Sequence, residues 1–285
     1  MFAAALILVL ASGMTHSIWN LFTKRSTKRV VFLWSLHSLS CICLLPYLIR
    51  ELTTVSFPLH VYLMMLLSGG VQGCYIWLLN KTYAYGDMSQ VYPFSRGTAA
   101  ALIPLVSLAV FHERISWLGC IGLGIIIAGL FILSGAARIR TWTASNRKAL
   151  LYAVSVGICI TSYTLIDKTI IGAGFSPIAL IEISNIGSVL VLTAPALSSM
   201  ANLKQEWRIN WKTIVLGSIL SPGSYVLFLY AMKLAPLSHI APVREISTVF
   251  GTLLGIFLLK ESQGRIRIIM SACITCGIIT LSLWG

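Results

Sequence analysis

From end to end the chain is a succession of apolar runs of about 18 residues or more, each able to cross roughly 30 Å of hydrocarbon as a helix. Short stretches where Lys, Arg, Pro and Gly collect separate them. The two-residue alternation of a membrane β-strand is absent, and a helix satisfies its own backbone in lipid. The runs predict ten spans, at residues 2–22, 31–49, 59–80, 89–111, 115–135, 149–167, 177–198, 212–232, 238–259 and 267–284. Connectors are short, so neighbouring helices are expected to pack antiparallel, and no soluble domain fits between them. The N-terminal MFAAALILVLASG lacks a leading Lys or Arg and is soon followed by another span. It therefore reads as a first membrane helix rather than a cleaved leader.

Composition agrees with that pattern. Hydrophobic residues make up 57% of the chain and charged residues 10%, with a mean hydropathy of +0.88. A soluble domain carries about a quarter charged residues, so there are too few here to solvate a globular surface. The net charge of +13 would suit nucleic acid, but the charges sit in short connectors such as KRSTKR at 24–29, which argues against that partner. Connectors after odd-numbered spans hold roughly 15 basic residues, including Arg138, Arg140, Arg147, Lys148, Lys204, Arg208 and Lys260; even-numbered connectors hold about four, Arg50, Arg114, Lys168 and Lys233. The positive-inside rule then predicts a multi-pass protein of the cytoplasmic membrane with both termini on the non-cytoplasmic side. Seven cysteines are scattered through apolar runs and form no disulfide framework. Cys273 and Cys276, in CITC, have redox-motif spacing but fall mid-span, where small packing residues are the expectation.

Halving the chain exposes a repeat. Arg96 precedes Glu113 by 17 residues, and Arg244 precedes Glu261 by 17. A proline stands shortly before each arginine, Pro93 in YPFSR and Pro242 in APVRE, and an acidic residue closes each helix, in HER at 112–114 and KES at 260–262. WNLFTK at 19–24 aligns loosely with YTLIDK at 163–168. Each half holds five spans, an odd number, so the second copy is expected to enter the membrane inverted. Inverted repeats are typical of secondary transporters, with the substrate near the midplane between them.

The polar residues inside the spans are the candidate chemistry. Arg96 and Arg244 either snorkel to an interface and cap the carbonyls freed by their prolines, or line a central polar cavity. In a cavity, a planar fork of donors suits a carboxylate or phosphate. Glu245 is adjacent to Arg244 and points about 100° away from it, so the two need not pair. Glu182 reads equally as a proton carrier or as a counter-ion for an arginine. His16, His37, Asn20 and Gln72 are further intramembrane polar groups, a lone helix-face histidine being more often a packing residue, and Trp19, Tyr75, Trp77, Tyr92 and Tyr225 are either cavity walls or, each taken singly, lipid-facing or core-packing residues. Small-residue spacings at Gly69/Gly73 and Gly251/Gly255 predict close helix approach within the chain. No nucleotide-binding glycine loop, metal cluster or nucleophile–base pattern stands out, which argues against an ATP-driven pump, an enzyme or a cofactor protein.

HSIWNLFTK at 16–24, YAYGDMSQVYPFSRG at 83–97 with its HER closure, and APVREISTVFGTLLGIFLLKE at 241–261 resemble one branch of the EamA-type family of the drug/metabolite transporter superfamily. The resemblance covers nearly the whole chain. It implies an all-α fold of ten transmembrane helices in two inverted five-helix repeats, residues 1–138 and 147–285, around a central cavity. It also implies transport of a small metabolite or drug without ATP hydrolysis, and supplies no substrate. Superfamily members are usually drawn with both termini cytoplasmic, whereas the charges here predict the reverse. The first expectation is a monomeric carrier of a small solute with an anionic group. Its site draws on Arg96, Arg244, Glu245, Glu182, Tyr92, His16, Trp19, Asn20, Gln72 and Tyr225, with a coupling proton or counter-substrate as partner. The alternatives are proton-coupled efflux of cationic or amphipathic drugs through Glu182 or Glu245, and a membrane partner that transports nothing.

Overall fold

The computed structural model describes residues 2–86, 88–135, 144–259 and 264–285. These residues form helices and connectors: α1 (Phe2–Arg25), α2 (Arg29–Thr54), α3 (Leu59–Tyr85), α4 (Met88–Val110), α5 (Trp117–Ser134), α6 (Ala144–Gly172), α7 (Pro177–Leu197), α8 (Met200–Leu234), α9 (Leu237–Val243), α10 (Ile246–Leu259) and α11 (Gly264–Trp284). Among the described residues, ten helical stretches are long and apolar enough to cross a membrane, the ninth being α9 and α10 together. Arg138, Arg140, Lys260 and Glu261 lie outside the described residues.

Three departures from the expected spans matter for the site. Helix α6 runs on to Gly172, so Asp167, the last residue of the expected span, lies well inside the helix, and Lys168 belongs to a span rather than a connector. Helix α8 begins at Met200 and bends at Asn210, so Lys204 and Arg208 ride on its first turns. The ninth span is broken at Arg244 and Glu245. Pro242 has no N–H to donate, and the N–H groups of Glu245, Ser247 and Thr248 reach carbonyls three residues back, at 2.8–3.0 Å. This tightened turn rotates Arg244 and Glu245 away from straight-helix positions. Pro93, its sequence counterpart, sits inside a continuous α4.

Packing pairs helices across the two halves. Helix α1 lies along α8 and α3 along α6; α2 packs on α7 and α5 on α11. Exchanging each span n for span n + 5 returns the same set of pairs. Without a hydrophobic drive inside lipid, such contacts rely on small residues and interhelical hydrogen bonds. Gly187 and Gly69 bring α7 and α3 together so closely that a Cβ on Gly187 would stand 2.3 Å from the Gly69 carbonyl oxygen. Ser12 donates to Ser224 O at 2.6 Å, Ser17 to Ser247 O at 2.7 Å and Ser40 to Ser218 O at 2.7 Å, tying α1 to α8 and α10, and α2 to α8. Gly251, by contrast, has open space beside it and lines a crevice between α1, α4, α10 and α11. All seven cysteines are free thiols.

Acidic residues at the membrane edges bind the starts of helices from the opposite half. Glu51 accepts from Ser176 N at the start of α7, and Glu206 accepts from Lys28 N and Thr27 Oγ1 at the start of α2. Glu113 accepts from Leu237 N and Ser238 N, both at 2.7 Å, at the start of α9, and from Ser107 Oγ at 2.6 Å. A carboxylate satisfies orphan N–H groups there and complements the helix dipole. Burial works to raise the Glu113 carboxyl, but its hydrogen bonds from Ser107, Ser238 and the backbone of Leu237 outweigh it and hold the group below the usual carboxylate range. A depressed value means the contribution is complete above the ordinary carboxylate pKa, about 4, and is lost as pH falls through the depressed one. Glu113→Ala is therefore expected to lower stability at neutral pH by about 1 kcal/mol, the scale of a lost cap. Thermal melts of both proteins across pH check this: the difference should close in acid, and a difference independent of pH would contradict it.

Candidate substrate cavity

Between the two halves lies a cavity of about 1030 Å³, counted to its open mouth, with walls from α1, α2, α3, α4, α6, α7, α8 and Arg244. It continues past Arg29, Asn80 and Tyr83 into a depression lined by residues 26–31, Pro195 and Asn202, on the membrane face that carries the connectors after odd-numbered spans. At the opposite face, side chains and helix ends pack across the two halves. Phe57 packs edge-on against Phe175 at 5.3 Å, Glu51 and Glu113 hold the starts of α7 and α9, and Lys168 donates to the carbonyls of Met232 and Ala235 at the end of α8.

The two arginines of the repeat occupy different environments. Arg96, from α4, makes a two-pronged ion pair with Glu245, Nη2 to Oε1 at 2.6 Å and Nε to Oε2 at 3.1 Å, and both residues are buried. Thr248 adds a hydrogen bond to Glu245 at 3.3 Å. The pair stands behind the cavity wall and neither residue lines it. Arg244 does line the cavity. Its guanidinium lies over the rings of Phe228, at 4.4 Å, and Tyr225, at 5.0 Å. Its Nε is buried with no hydrogen-bond partner, and among the described residues no carboxylate pairs with it. Stacking on aromatic faces stabilises the cation without consuming its fork of donors.

The remaining predicted residues divide cleanly. His16, Trp19, Asn20, Gln72, Tyr92 and Tyr225 all line the cavity. The Tyr92 hydroxyl takes a hydrogen bond from Asn20 at 3.3 Å and meets His16 Nε2 at 3.2 Å, while His16 and Trp19 pack edge to face at 5.0 Å. The Trp19 indole N–H is a second buried donor without a partner. Gln72 donates to Ser184 at 2.5 Å and Ser68 at 3.2 Å. Glu182 is fully buried behind the wall, where Asn185 donates to its Oε2 at 3.2 Å and in turn bonds His37 at 3.0 Å; its Oε1 has no partner. Trp77 faces outward, 49% exposed, under the Lys81 ammonium, so it forms no part of the wall. Tyr75, Tyr163 and Tyr225 instead build it as an edge-to-face series with centroids 5.9 Å apart.

Lining or near-lining groups that escaped the sequence reading include Tyr163, Asn185 and Asp167. Asn185 sits on the cavity side of α7, and Asp167 is fully buried between Ser68 and Tyr225. The loose alignment of YTLIDK with WNLFTK, whose Trp19 and Asn20 line the cavity, is the signal that could have pointed to Asp167. Among the described lining residues stand Arg29, Arg244 and two histidines, and no Asp or Glu.

The described residues thus form a bundle of helices long and apolar enough to span a membrane around a cavity open to one face. Residues 147–283 match the model of the EamA-like transporter family. A solved crystal structure, titled only as that of a protein, is 14% identical and superposes with a TM-score of 0.76 over 99% of both chains, which shows the fold alone. No curated protein matches the chain in sequence.

Proposed function

We propose that this protein is a secondary transporter for a small solute bearing a carboxylate or phosphate, bound by Arg244 between two inverted five-helix repeats, residues 1–138 and 147–285. The observation that carries this reading is the buried Arg244 guanidinium, unpaired, stacked on two rings and facing a cavity whose described lining has no carboxylate. A buried cation is costly unless something pairs with it, and a bound anion supplies that partner. The unpartnered indole N–H of Trp19 adds a donor suited to the same acceptor-rich ligand. The exchange of helix pairs between halves supports the repeat. A cavity open on one face, with the two halves packed together at the other, supports alternating access. The connector charges support an open face in the cytoplasm and both termini outside, in the cytoplasmic membrane.

A panel of benzoate, succinate, glutamate, inorganic phosphate, glucose 6-phosphate and quaternary ammonium cations, read by thermal shift and by uptake into proteoliposomes, tests this. A ligand at 100 times its Kd stabilises the folded state by about 2.7 kcal/mol. Stabilisation and flux confined to anions are expected. Stabilisation by cations alone would overturn the reading, and absence of flux for every solute would remove transport.

A further inference from the structure

Asp167 carries a function that the cavity lining alone does not reveal. It lies in α6 with no exposed surface; Oδ1 accepts from Ser68 Oγ at 2.5 Å and Oδ2 from Tyr225 Oη at 2.6 Å. Tyr225 faces the cavity, and Arg244 lies over its ring. We propose that Asp167 is a proton-binding site coupled through Tyr225 to the anion on Arg244, so that solute and proton are carried together. The proposal rests on the reading of Arg244 as anion ligand.

The surroundings leave Asp167 without a cation. On α3 its neighbour is Ser68, with Gln72 one turn on bonded to that serine. On α4 the one arginine, Arg96, is held by Glu245. On α8 it meets the Tyr225 hydroxyl, while Lys233 lies over Tyr230. On α6 itself Tyr163 packs edge-on against Tyr225, and Lys168 turns to the carbonyls of Met232 and Ala235. A buried carboxylate with only hydroxyl partners is costly to keep ionised, and the same hydroxyls serve the neutral acid. The proton passes from cavity water to Tyr225 Oη while the phenol proton moves to Oδ2, and it returns by the same hydroxyl; no other bond changes. Glu182 is connected to the cavity through the Asn185 amide, which cannot relay a proton by this exchange. An ionised Asp167 would set a second negative charge behind the ring on which Arg244 holds the anion, so protonating it removes that repulsion and tightens anion binding, and by reciprocity the anion tightens proton binding.

Infrared difference spectra of the purified protein without solute, stepped in pH, test the site directly. The C=O band of a protonated carboxyl is expected to grow as pH falls, to be lost in Asp167→Asn, and to shift in Tyr225→Phe, which retains the ring beneath Arg244. An identical band in parent and Asp167→Asn would overturn the proposal. If Asp167→Asn fails to fold, an unshifted band in Tyr225→Phe would overturn it instead. Because no solute is needed, a proton band without any anion response in the ligand panel would remove the Arg244 reading and leave the proton site standing. Anion binding without the band would remove Asp167 alone.

Discussion

Replacing Arg96 by methionine with Glu245 left in place is expected to cost the fold about 3–5 kcal/mol, the scale for stripping one partner from a buried ion pair. Glu245 would keep the Thr248 hydroxyl as its remaining side-chain donor, too little for a buried charge. The damage should be local as well as global, because Glu245 sits in the tightened turn that joins α9 to α10. Removing both charges together, Arg96→Met with Glu245→Leu, should restore most of the loss, since an apolar pair of similar volume is often neutral or stabilising. Denaturation of the two single variants and the double variant yields the coupling energy as a double-mutant cycle. A cost below about 1 kcal/mol for Arg96→Met would mean the pair behaves as a surface contact, contrary to its burial.

Arg244→Ala should do the reverse. It removes an unpaired buried cation, so the empty protein is expected to be as stable as the parent or more so. The anion response should collapse: losing one member of a buried, hydrogen-bonded charge pair costs about 2–5 kcal/mol of binding, roughly 30-fold to several thousand-fold in Kd. Arg244→Lys keeps the charge but loses the planar fork and the stacking on Phe228 and Tyr225, so it should fall between the two. Titration of each variant with the best anion of the panel, by calorimetry or by concentration-dependent melting, measures this. Unchanged affinity in Arg244→Ala would move the anion elsewhere, with Arg29 at the mouth as the next basic lining residue.

These opposite expectations come from two arginines that look alike in sequence. Both follow a proline, both lie 17 residues before a glutamate, and both sit deep in an apolar run. The adjacency of Arg244 and Glu245 conceals the pairing: on a helix they diverge by about 100°, and the glutamate reaches across to α4. The aromatic walls were partly legible, since Trp19, Tyr75, Tyr92 and Tyr225 do line the cavity, whereas Trp77, equally aromatic, turns toward the outside. Gly69 and Gly251 likewise share a spacing motif, yet one meets α7 and the other borders open space. Asp167 was hidden by its neighbour: followed by Lys168, it read as the polar end of a span, but the helix continues to Gly172 and carries both residues inside.

The sequence by itself determined the solvent, the number of spans, the distribution of basic connectors and the repeated proline–arginine–glutamate pattern. Those properties follow from segment length, hydropathy and spacing along one chain, which hydrocarbon thickness and backbone hydrogen bonding convert directly into helices. Which charge is paired and which faces the cavity was decided only by the tertiary structure. That outcome depends on the angle at which α4, α8 and the broken ninth span meet, and a one-residue rotation of about 100° is enough to exchange a buried partner for an open cavity.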